Sequence, residues 1–64
     1  MKMIDLGEFR ERAEARYDFD YVESEGPTTL RFDIGGQSAW VHASGMIEGP
    51  KFIHSKLEKV IKGM

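Results

Sequence analysis

The pair Gly35-Gly36, set between alternating runs over 28–34 and 37–44, constrains this chain more than any other feature. Two consecutive glycines supply the positive φ that a two-residue type I′ or II′ hairpin turn demands. Taken as the whole loop, they place Ile34 opposite Gln37, Phe32 opposite Ala39, Leu30 opposite Val41 and Thr28 opposite Ala43. A slip of one residue would send every side chain to the other face, so the turn and the apolar pattern check each other. Upstream, Tyr17, Phe19 and Tyr21 alternate with Asp18, Asp20 and Val22, which predicts a first strand over 17–22. Glu25-Gly26-Pro27 reads as the intervening turn, since Gly permits positive φ and Pro cannot donate to a ladder. With Glu25-Gly26 closing that hairpin, Tyr21 faces Leu30, Phe19 faces Phe32 and Tyr17 faces Ile34. Both turns then put their apolar residues on one side, which predicts a three-stranded antiparallel meander.

Helices flank the meander. Asp5 followed by Glu8 is the acid pair of a capping box, with Ile4 and Phe9 spaced for a hydrophobic staple, so a helix begins at Leu6 and runs over 6–16. Leu6, Phe9, Ala13 and Tyr17 form its apolar stripe, and its charges form a solvated face. Gly49-Pro50 opens a last helix with Pro at its first position. Ile53, Leu57, Val60 and Ile61 fall at i, i+4, i+7 and i+8, and Gly63 is placed as the C-terminal cap. The segment between, 45–49, reads as a connection in which Met46 and Ile47 cap one end of the core. A sheet with one apolar face takes both helices on that face and leaves the other in water. The expected fold is therefore α+β, in the order αβββα.

Composition limits what such a chain can do. Its 64 residues make a single domain over 1–64 with one thin core. No cysteine is present, which removes disulfides and thiolate zinc sites, and two histidines are a poor metal set. The apolar stretches are short and broken by charges, so neither a membrane span nor a signal peptide is expected, and Met1-Lys2-Met3 reads as a native start. A cytoplasmic location is the simplest expectation. No motif calls for a cofactor or metal, and Gly35-Gly36, which joins two strands, is in the wrong context for a phosphate loop.

The expected water-facing side of the sheet carries Asp18, Asp20 and Val22, then Thr29, Arg31 and Asp33, then Ser38, Trp40 and His42. Arg31 falls opposite both Trp40 and Asp20. The only tryptophan thus sits on the wet face beside an arginine and a histidine, a combination typical of binding hot spots. The plainer alternative is that Trp40 covers Arg31 by a cation–π contact. His42 has the chemistry of a general base, with Asp20, Asp33 or Thr29 to orient it, but no nucleophile stands at a fixed spacing, and an ordinary surface histidine is the simpler reading. His54 falls beside the core stripe of the last helix as a boundary residue.

Charge is uneven. Residues 1–25 hold four basic and eight acidic groups, net −4, whereas 26–64 hold five basic and three acidic, net +2. The first helix and strand read as an acidic side, either to discourage strand pairing or to dock on a basic partner. Lys51, Lys56, Lys59 and Lys62 make the last helix basic, either as a solvated face that complements the helix dipole or as a phosphate-binding surface.

The order helix, three-strand meander, helix, with Gly26 opening the second strand and Ile53 and Leu57 on the final helix, resembles the double-stranded-RNA-binding-domain fold and, at this length, the small ribonuclease toxins of the HicA family. Just after Gly26, where that family's catalytic histidine is expected, this chain has Pro27, Thr28 and Thr29. The resemblance implies an RNA-binding or ribonuclease toxin module, using Lys51, Lys56, Lys59 and Lys62 for phosphates and His42 for proton transfer.

The leading expectation is a small non-enzymatic protein that occludes a surface on a larger protein partner. By analogy of size and surface, the expected class is that of phage or mobile-element inhibitors, anti-CRISPR proteins among them. Trp40, Arg31 and His42 form the expected contact centre, with Asp18, Asp20 and Asp33 steering a basic partner. The RNA-binding or ribonuclease module is the alternative, nucleic acid being disfavoured by the acidic balance. A third expectation is a homodimer through the exposed face or an edge strand.

Overall fold

The computed structural model describes residues 3–64; Met1 and Lys2, read above as part of a native start, lie outside the described residues. Its elements run α1 (Leu6–Arg16), β1 (Tyr21–Ser24), β2 (Thr29–Ile34), β3 (Gln37–His42), β4 (Ile47–Glu48) and α2 (Lys51–Lys62). The sheet is antiparallel throughout, in the order β1-β2-β3-β4.

The expected meander therefore gains a fourth strand. Residues 45–49, expected as a connection, instead return the chain along β3, with Trp40 opposite Glu48 and Val41 opposite Ile47. A tight turn makes the reversal, Gly45 N donating to His42 O at 2.8 Å and His42 N to Met46 O at 2.9 Å, with Gly45 at φ +97°. Ile47 packs against the core from this strand, while Met46 stays exposed.

The central hairpin is as the glycines dictate. Ile34 pairs with Gln37, Phe32 with Ala39 and Leu30 with Val41, and both Gly35 and Gly36 have positive φ, as a type I′ turn requires. The first hairpin differs. Tyr21 pairs with Asp33, Val22 with Phe32 and Glu23 with Arg31. Glu25 N donates to Thr29 O at 2.9 Å, so the loop is Gly26-Pro27-Thr28 rather than the dipeptide Glu25-Gly26. This shifts the pairing by an odd number of residues and reverses the faces. Val22 turns toward the core and Tyr21 toward water, 50% exposed. Tyr17 and Phe19 lie before the strand, yet both still pack on the core, Phe19 with its ring 4.9 Å from that of Phe32.

Both helices pack on one face of the sheet. Phe9 and Ala13 of α1 and Ile53, Leu57 and Val60 of α2 meet Leu30, Phe32, Ala39 and Val41 in a single buried cluster. Asp5 caps α1, its carboxylate accepting from the backbone N–H of Gly7 and Glu8. The reciprocal half of the expected capping box is not made: Glu8 turns to Arg12 at 2.9 Å instead of back to Asp5 N. Before the cap, Ile4 N donates to Ala43 O at 2.8 Å, fastening the entry to α1 beside the end of β3. At α2 the boundary moves by one residue: Pro50 is the N-cap and Lys51 the first helical residue. Gly63 is the C-cap, in right-handed geometry. Gly49 has a separate task, because a Cβ there would stand 2.6 Å from that of Ala39; its missing side chain lets the chain cross β3 as it enters α2.

Candidate functional site

Because both helices occupy one face, the other face of the sheet is left open to solvent. Across its middle, Glu23, Arg31, Trp40 and Glu48 lie side by side on four successive strands. Tyr21, Asp33 and Ser38 form the row toward the Gly35-Gly36 turn, and Thr29 and His42 the row on the other side. Side chains opposite one another across an antiparallel pair are close enough to interact, and here they do so densely.

Arg31 is the hub. Its guanidinium lies 3.1 Å from Glu25, 3.3 Å from Asp33 and 3.6 Å from Glu23, and 5.7 Å from the centre of the Tyr21 ring. Arg31 Nε and Asp33 Oδ1 are both covered from solvent, in an ion-pair contact with no directed hydrogen bond. The Tyr21 hydroxyl donates to Glu23 at 3.2 Å. Trp40 does not stack on Arg31, as the cation–π alternative expects. Its indole Nε1 donates to Glu25 Oε1 at 3.1 Å, while the other oxygen of Glu25 takes Arg31.

A second chain of contacts lies beside the first. His42 Nδ1 is 3.2 Å from the Thr29 hydroxyl, and its Nε2 is 3.0 Å from Glu48 Oε2. A neutral ring protonated on Nε2 satisfies both, the hydroxyl donating to Nδ1 and Nε2–H to the carboxylate. Hydroxyl, imidazole and carboxylate stand in the order of a nucleophile, base and orienting acid. They are spread over three neighbouring strands, and their evident effect is to hold the ring and tie β4 to β2.

The surface thus carries four carboxylates, three around Arg31 (Glu23, Glu25 and Asp33) and Glu48 at His42, against one guanidinium, a net charge of −3 with His42 counted as neutral. Among the described residues, no group of three or more His, Asp or Glu is gathered as a metal would require, and no helix is long and apolar enough to cross a membrane.

Of the residues expected at the site, Trp40, Arg31, His42 and Asp33 are brought together. Asp18 and Asp20 are not on this face. The first strand begins only at Tyr21, and Asp20 instead accepts from Gly35 N at 2.8 Å, bracing the hairpin turn. Glu23, rather than Asp20, stands opposite Arg31. Tyr21, Glu23, Glu25 and Glu48 were missed; a three-residue first loop would have revealed the first two, and the Ser44-Gly45 turn signal would have revealed Glu48. The four lysines of α2 do not share one surface. Lys56 reaches the Tyr17 ring at 4.9 Å on the α1 side, whereas Lys62 lines a groove with Ile47, His54 and Glu58 on the β4 side. His54 is half-buried at that boundary, 3.5 Å from Glu58.

Charge also divides differently from the halves of the sequence. Three arginines of α1 balance Glu8, Glu11 and Glu14, so α1 is neutral and lies beside basic α2. The polarity therefore runs through the thickness of the molecule, from acidic sheet face to basic helix layer. No family model, curated protein or solved structure matches the chain.

Proposed function

We propose that this protein is a non-enzymatic inhibitor whose open sheet face docks on, and occludes, a basic surface of a larger protein. The observation that carries this reading is the acidic, aromatic character of that face: four carboxylates and one guanidinium around Trp40 and Tyr21, on rigid strands with no helix above them. Excess negative charge steers a cationic partner and accelerates encounter. Trp and Tyr supply contact area at little cost in side-chain entropy. Arg31 acts mainly from within, holding Glu23, Glu25 and Asp33 in place before a partner arrives, and such preorganisation lowers the ordering cost of binding.

Phage and mobile-element inhibitors, including anti-CRISPR proteins, are the class whose task this surface suits, and a cytoplasmic target fits that setting. The test is capture from host lysate on the immobilised chain, wild type beside Trp40→Ala, with a nuclease-treated lane in parallel. The reading expects a protein that is retained by the wild type, survives nuclease, elutes with salt and is lost with Trp40→Ala. A signal that disappears with nuclease and ignores Trp40 contradicts it.

A further inference from the structure

The helix layer is the electrical opposite of the sheet face. α1 and α2 together carry seven basic and four acidic residues, net +3, against −3 on the sheet. Arg10 and Arg12 are engaged by Glu14 and Glu8, and Arg31 by three carboxylates. Arg16 and Lys56 behave otherwise: from different helices they converge on one ring, 5.5 Å and 4.9 Å from the centre of Tyr17, and among the described residues neither has a carboxylate within ion-pair distance. Lys59 follows Lys56 by three residues and Phe52 precedes it by four, so all three share one side of α2. Phe52 is 46% exposed. One face of the molecule thus offers unpaired cations around an exposed aromatic, and the opposite face offers carboxylates around Trp40 and Tyr21.

We infer that the occupant of the basic helix layer is the acidic sheet face of a second copy of this chain. The two surfaces are opposite in sign and equal in size of charge, and they are present at equal concentration wherever the protein is. The contact is head-to-tail, so each copy keeps one free sheet face and one free helix face and growth does not close at two. The molecule measures 32 × 24 × 19 Å, so no face exceeds the ~800 Å² per partner of a standard interface. Association is accordingly weak, rising with concentration and falling with salt. It covers Trp40 in every copy but the last, so a protein partner for the sheet face competes with it. The inference does not rest on such a partner existing, because the purified chain alone tests it.

The experiment is sedimentation equilibrium from micromolar to millimolar protein, in about 20 mM and about 500 mM salt, the Debye length falling well below 10 Å at the higher value. The wild type should rise past twice the 7.3 kDa monomer mass at low salt and return toward 7.3 kDa at high salt. Lys56→Glu with Lys59→Glu turns the helix layer acidic at the two α2 cations of this patch, and Glu25→Lys with Glu48→Lys turns the sheet face basic. Each double variant should be monomeric alone, and an equimolar mixture should associate again, since it restores one acidic sheet face against one basic helix layer. Circular dichroism checks that both variants fold. A wild type that stays at 7.3 kDa throughout overturns the inference, as does association indifferent to salt, or folded variants whose mixture remains monomeric.

Discussion

The indole nitrogen of Trp40 donates to Glu25 Oε1 at 3.1 Å, and Glu25 Oε2 lies 3.1 Å from the Arg31 guanidinium, so one carboxylate from the first turn fixes both side chains at the centre of the open face. Glu25→Ala should release them. Trp40, the only tryptophan, then moves into water, and its emission should shift to the red with stronger quenching by acrylamide. Stability should fall by no more than about 1 kcal/mol, because contacts this exposed are individually weak. An unchanged spectrum would show that the contact does not hold the ring.

The register of the first hairpin makes a prediction opposite to that of simple alternation. Val22 faces the core and Tyr21 faces water. Val22→Ala should therefore cost about 1 to 2 kcal/mol in urea unfolding, at roughly 0.8 kcal/mol per buried methylene. Tyr21→Ser, on the surface, should cost about 0.5 kcal/mol or less beyond the loss of its contact with Arg31. The reverse order of effects would restore the two-residue loop.

Gly49 combines φ +145° with a Cβ position 2.6 Å from Ala39 Cβ. Gly49→Ala is expected to destabilise by about 3 kcal/mol, from backbone strain and overpacking together. Adding Ala39→Gly should recover only a small part of that loss, because it removes the Cβ–Cβ contact but leaves the 2.8 Å approach to the Ala39 Cα and the backbone strain. Thermal melts of the single and double variants measure both terms.

Leu57 is fully buried where α2 meets the sheet. Leu57→Ala should cost about 2 to 5 kcal/mol. At roughly 0.05 to 0.15 kcal/mol per residue, a chain of 64 residues holds only about 3 to 10 kcal/mol in all. The variant is therefore expected to be largely unfolded at 37 °C by circular dichroism, while Lys59→Ala, on the exposed side of the same helix, leaves the melt nearly unchanged.

Much of the architecture was legible because it rests on local signals that agree. Asp5 capped α1 as its spacing required, the stripe Ile53, Leu57, Val60 marked the buried side of α2, and Gly35-Gly36 set the β2–β3 register residue by residue. The Arg31–Trp40 pairing followed from that register. The first hairpin misled because two loop lengths suit Glu25-Gly26-Pro27-Thr28, and the alternation of Tyr17, Phe19 and Tyr21 favours the shorter one. Phe19 reaches Phe32 in either case, but from a loop segment, through ring packing that alternation does not describe. β4 escaped because two residues carry no period, and only the Ser44-Gly45 turn announces it. Those two omissions hid Glu23, Glu25 and Glu48, and with them most of the charge of the open face.

The claim that this open face is where a partner docks is tested most directly by photo-crosslinking from two aromatic positions on opposite sides of the molecule. Tyr21 on the sheet and Phe52 on α2 are 50% and 46% exposed, so a photoreactive phenylalanine analogue at either should be equally accessible and equally harmless to the fold. With the captured partner in dilute solution, where the chain itself is monomeric, the account predicts a strong crosslink from position 21 and none above background from position 52. A crosslink from position 52 alone would contradict it and move the docking surface to the helices.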